Sequence, residues 1–131
     1  MEQNEKTKAL LAAFGWALAY LLAGKALAAV LPQVPEEAAR MWAFVHRCAA
    51  APIVEELVFR GVIQQLARPL GERQAVALQA VLFAVQHRGP AGMAYALVCG
   101  LVLGTLRSRT GSVWPGMLLH TLNNLLVFAA G

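Results

Sequence analysis

The chain has 131 residues, 59% of them hydrophobic and 14% charged, with a mean hydropathy of +0.57. That composition is too apolar for an ordinary soluble domain and the length too small for two, so a single membrane domain over residues 1–131 is expected. The net charge of +4 does not indicate nucleic acid, because the basic residues stand at the ends of apolar tracts instead of clustering with aromatics.

Residues 9–31 are interrupted only by Lys25 and are long enough to cross a hydrocarbon layer of roughly 30 Å. The tract is too long, and too poorly marked for cleavage, to be a removable signal peptide; it is the first transmembrane span. Residues 32–37 (PQVPEE) form the clearest linker. The stretch 36–47 (EEAARMWAFVHR) reads as an interfacial helix with Trp42 at headgroup level. His46, beside Arg47, reads as a solvated surface group without a role. Further apolar tracts cover 41–66, 75–86, 93–106 and 113–130, with turns at 68–73, 88–92 and 107–111. Residues 74–87 would rise only about 21 Å as a helix. That is short of a crossing, so the hairpin around Gly89 and Pro90 is expected to turn inside protein.

The fold class that follows is an all-α, polytopic transmembrane helix bundle of about five membrane segments, two of them short, with an intramembrane polar cavity. Lys6 and Lys8, Arg68 and Arg73, and Arg107 and Arg109 fall on alternate connections, against Arg40 and Arg88 on the others. By the positive-inside rule the N-terminus is cytoplasmic and the C-terminus outside. The Ala- and Arg-rich composition points to a bacterial plasma membrane. Cys48 and Cys99 lack paired spacing and read as packing residues. Gly100 and Gly104 form a GxxxG pair, expected to pack within the bundle ahead of serving a dimer.

Three polar clusters interrupt the apolar tracts. In Glu55-Glu56-Leu57-Val58-Phe59-Arg60, Glu56 and Arg60 are one turn apart and suited to pair. Glu55 points about 100° away from Glu56. Mid-membrane charges cost roughly 2.5–3.5 kcal/mol each, so they persist chiefly by pairing or by facing a wet cavity. The pair alone reads equally well as helix glue; Glu55 remains unexplained by it. Phe83-Ala84-Val85-Gln86-His87 carries the second cluster and His120-Thr121-Leu122-Asn123-Asn124 the third. His120 and Asn124 share a helix face, while Asn123 is expected against a neighbouring helix. Counted from the nearest basic turn, Glu55 and His87 lie at about 20 Å depth and His120 at about 16 Å. Two Glu, two His and an Asn at one level can activate water against an amide and stabilise the resulting oxyanion.

The three clusters resemble the EExxxR, FxxxH and HxxxN patterns of the CPBP family of intramembrane peptidases. That family includes the type II CAAX prenyl endopeptidases and the bacteriocin-processing, Abi-like proteins. The resemblance covers residues 48–129, the expected peptidase core. It implies Glu55 as catalytic glutamate with His87 assisting water activation, His120 and Asn124 as oxyanion stabilisers, and Glu56 and Arg60 in support. No cofactor is expected, since no HExxH stands in the chain. In the metal-dependent alternative, zinc would be held by Glu55, His87 and His120. The family usually carries more helices before its first motif, so a minimal or shortened member is expected, with room for a homodimer to complete the cavity wall.

The function expected is intramembrane hydrolysis of a peptide or membrane-associated protein, with the cut near the cytoplasmic end; lipid and the peptide are the partners, not nucleic acid. Two alternatives come from other classes. One is a non-catalytic binding or immunity partner on the same fold. The other is a small proton- or ion-coupled transporter, since intramembrane Glu and His also mark ion paths.

Overall fold

The computed structural model describes residues 2–30 and 35–131, and among these there are only helices and turns. The predicted end of the first span at Leu31, and residues 32–34 of the predicted linker, lie outside the described residues.

Helix α1 spans Glu2–Val30. Its Ala and Leu content favours helix, and Glu2 and Glu5 sit at the positive end of its dipole, paired with Lys6 and Lys8. These pairs carry the helix back beyond the apolar span that begins at residue 9.

Helix α2 follows one unbroken path over residues 36–67. It is α-helical at Glu36–Val45, π-helical at His46–Ala50, α-helical at Ala51–Glu55, π-helical at Glu56–Ile63 and α-helical again at Gln64–Ala67. The separate interfacial helix expected at 36–47 is therefore corrected. Val45 and His46 keep right-handed helical dihedrals, so those residues are the first turns of the same helix that carries Glu55. A short 3₁₀ turn, Arg68–Leu70, ends it, and Gly71 at φ +111° supplies the reversal that a side chain would resist.

Helix α3 covers Glu72–Ala84. It stops three residues short of His87, whose backbone N–H reaches the Ala84 carbonyl in the following turn. Gly89 and Pro90 are not the hairpin tip expected from sequence. They open helix α4, Gly89–Thr110, because proline lacks only an N–H that the first turn leaves unpaired anyway. Gly111, left-handed at φ +70°, closes α4, and helix α5, Trp114–Ala129, completes the chain.

Small residues set the packing. Ala9, Ala13 and Ala17 are buried along one face of α1, which lies against the second half of α2. Helices α3 and α4 meet where Gly100 faces Ala80, leaving 2.9 Å between an added Cβ and the Ala80 Cα. The glycines also bare backbone carbonyls to glutamines: Gln79 Nε2 donates to the Gly100 carbonyl at 2.8 Å, and Gln64 Nε2 to that of Gly104 at 3.0 Å. Both members of the GxxxG pair thus pack inside the bundle. Phe59, Ile63, Leu82 and Phe83 form the core beneath them.

The exterior is apolar. Leu11 is 69% exposed and Leu118 72%, and Trp114, Leu118, Leu122 and Leu126 run down one face of α5 while Gly116, Met117 and His120 are buried on the other. Helices α1 and α4 are long and apolar enough to cross a membrane. An outside richer in leucine than the inside is what lipid, not water, accepts. Both cysteines are free, Cys48 buried and Cys99 partly so.

Candidate active site

Glu56 is the hub of the polar cluster. Its side chain is fully buried, with Oε1 2.9 Å from His120 Nδ1 and 3.0 Å from Arg60 Nη1. A carboxylate only accepts, so Nδ1 carries the proton and donates to it. The Arg60 contact is close but poorly aligned for hydrogen bonding, which makes it mainly Coulombic. The guanidinium lies instead on the Phe83 ring, with Cζ 4.5 Å from the centroid. Residues from α2, α3 and α5 are thereby drawn together: the predicted Glu56–Arg60 pair forms, and it also orients an imidazole.

Glu55, next in sequence, points away from this buried pair and remains 18% exposed. Its Oε2 lies 3.6 Å from His120 Nε2, and its Oε1 lies 3.4 Å from the Tyr20 hydroxyl of α1. His87 is held in the turn after α3. Its Nδ1 donates to the Phe83 carbonyl at 3.0 Å, so Nε2 is the nitrogen left with a lone pair. Phe83 packs edge-on against both imidazoles, at 4.7 Å from His87 and 5.8 Å from His120.

Glu55, His87, His120 and Asn124 line one cavity of about 780 Å³. Glu56 and Arg60 stand behind its wall, buried. The Asn124 amide donates to the Arg47 carbonyl at 2.8 Å, spending one of its two N–H groups within the π-helical stretch. Asn123 takes the Tyr95 hydroxyl from α4, the neighbouring-helix role expected for it.

Sequence reasoning missed two residues. His46 is on the cavity wall, a placement that follows from 36–67 being one helix. Tyr20 had no signal, since an isolated tyrosine in an apolar span looks like any other packing residue.

The cavity extends away from the basic turns. His46, Arg47, Val127, Phe128 and Gly131 line it too. These residues lie in the first half of α2 and at and just beyond the end of α5, so the cavity reaches toward the end of the bundle opposite Arg68 and Arg107. Glu55 is 13 residues from Arg68, about 20 Å along a helix, past the middle of a layer of roughly 30 Å.

Zinc would need three ligands converging on one point. Among the described residues no group of three or more His, Cys, Asp or Glu side chains does so, although His87, with Nδ1 given to the Phe83 carbonyl, keeps at Nε2 the lone pair that a metal ligand uses. As placed, Glu55, His87 and His120 are not drawn closely enough together to hold an ion.

The family model for type II CAAX prenyl endopeptidase Rce1-like proteins matches residues 37–126. No curated protein and no solved structure matches the chain. The match begins earlier than the resemblance over 48–129 and takes in almost all of α2, and it contains all three polar clusters. The chain belongs to the type II CAAX prenyl endopeptidase Rce1-like family, a family of proteases.

Proposed function

We propose that the chain is an intramembrane endopeptidase that hydrolyses a peptide bond of a peptide or membrane-associated protein, using water activated by Glu55. Residues 48–129 are its peptidase core. The observation that carries this reading is a partly exposed carboxylate on a cavity wall, adjacent to an imidazole whose far side is held by a buried second carboxylate. A carboxylate–imidazole pair of this kind fixes tautomer and orientation, leaving one polar edge for the reaction.

Glu55 takes a proton from water as its oxygen adds to the scissile carbonyl, with the free His87 Nε2 accepting a second hydrogen bond from that water. The developing oxyanion is met by His120 Nε2–H and by the uncommitted N–H of Asn124. Because Nδ1–H of His120 is already given to Glu56, this donor role requires the doubly protonated ring. The tetrahedral adduct collapses as Glu55 returns the proton to the departing amine. No step needs a cofactor, and metal analysis of purified protein checks that independently.

The setting proposed is a bacterial plasma membrane, with Lys6, Lys8 and the Arg107 end cytoplasmic.

Comparative proteomics of membranes holding wild-type or Glu55→Gln protein tests the reading, followed by kinetics on an internally quenched peptide spanning any site found. Versions with and without a prenylated cysteine separate the two substrate types. Glu55→Gln and His87→Ala are each expected to lower cleavage at least about 100-fold with thermal unfolding unchanged. Identical peptide patterns in wild-type and Glu55→Gln membranes would remove the proposal.

A further inference from the structure

Tyr20 stands outside the family match of 37–126, on a helix that would otherwise pass for a simple membrane anchor. Its hydroxyl is 3.4 Å from Glu55 Oε1, while Glu55 Oε2 is the oxygen beside His120. The two oxygens of this carboxylate therefore face different partners. The separation is long for a hydrogen bond and within the tightening that substrate binding commonly brings.

The ring is not free to wander. It packs edge-on against fully buried Phe59, with centroids 5.5 Å apart and planes at 82°. Phe59 in turn packs on Phe83 at 5.2 Å, the ring that touches both active-site imidazoles. On the same face of α1, the Ala17 carbonyl accepts from Gln86 Nε2 at 3.4 Å, tying α1 to the turn that bears His87. Ala13 and Ala17, both buried, allow the approach. Three independent contacts thus dock this stretch of α1 onto the site.

We infer that Tyr20 is a positioning residue of the active site. Its O–H holds Glu55 Oε1 and so aims Oε2 at the water to be activated, making α1 part of the catalytic unit. The inference rests on Glu55 being the base. A carboxylate bound at neither oxygen rotates about its last torsion; a donor on one oxygen fixes which lone pairs face the cavity.

Tyr20→Phe keeps the ring, and with it the packing on Phe59, and deletes only the donor. With the quenched peptide, kcat is expected to fall about tenfold, with KM and the unfolding temperature unchanged. Tyr20→Leu, which also removes the ring, should lower kcat at least as far and the unfolding temperature as well. A Tyr20→Phe protein with wild-type kcat, or one that loses only thermal stability, overturns the inference. The two claims fail separately: an active Glu55→Gln protein removes the peptidase reading, whereas an inactive Glu55→Gln beside a fully active Tyr20→Phe removes only the role of Tyr20.

Discussion

Adjacent glutamates divide two tasks because the roughly 100° that a helix turns per residue separates their faces. Glu56 looks inward to Arg60 and His120, and Glu55 looks into the cavity. What holds Glu56 in place includes an absence: a Cβ built on Gly116 would come within 2.7 Å of Glu56 Oε2. Oε1 is already fixed by two partners, so the carboxylate has nowhere to retreat. Gly116→Ala is expected to displace it, lowering the cleavage rate more than tenfold and stability by about 1–3 kcal/mol. Gly15→Ala, where nothing lies within 4 Å, is the matched control and should alter neither. Peptide cleavage and thermal unfolding of both variants decide the matter; equal behaviour would mean that Gly116 has no part in placing Glu56. At this scale the sequence was legible where spacing carries the information. The i, i+4 relation of Glu56 to Arg60 could be read directly, and the turn between the two glutamates separated their roles. The bond from His120 to Glu56 joins residues 64 apart, and no local pattern encodes which of two neighbouring carboxylates an imidazole will choose.

Among the helices, the tight contact is the α3–α4 pair. Gly100 lies against Ala80 backbone, and Gln79 crosses to the Gly100 carbonyl. Backbone cannot move aside as a flexible side chain can. Gly100→Val is therefore expected to cost about 1–3 kcal/mol through overpacking, read as a lower unfolding temperature in detergent, and to weaken cleavage by moving the turn that holds His87. An unchanged unfolding temperature would show that the two helices are not in register here. Among the described residues, apolar tracts and their breakers pointed to each of α1 to α5, because hydrophobic length and glycine or proline placement are local properties. Boundaries were less legible. Pro90 looked like a hairpin tip and is a first-turn residue. The π-helical stretches of α2 left no trace in composition, since they arise from how the widened turns fit their neighbours.

For the molecule as a whole, the antiparallel pairing of α1 with α2, anchored where Tyr20 meets Glu55, brings Lys6 and Lys8 to the level of Arg68. The turn after α2, the start of α3 and the last turns of α4 bring Arg68, Glu72 and Ser108 together at that same end. One end of the bundle is thus basic, and the cavity extends toward the other. If the basic end is cytoplasmic, a membrane-impermeant maleimide on intact cells should label Ala130→Cys and spare Thr110→Cys, in a background with Cys48 and Cys99 replaced by serine. The reverse pattern would turn the protein over and direct the cavity toward the cytoplasm. The convergence of three clusters was visible from depth counting, whereas the end toward which the cavity extends was not, because it is lined by residues from separate helices. Exposed Leu118 and Leu122 make the outer face of α5 apolar on either side of His120, whereas the cavity that Glu55 lines is polar enough to take water. A hollow of about 780 Å³ holds on the order of two dozen water molecules at liquid density. On the proposed reading, a peptide that reaches Glu55 displaces part of that water as it enters, and the molecule that attacks its carbonyl is drawn from what remains beside the carboxylate.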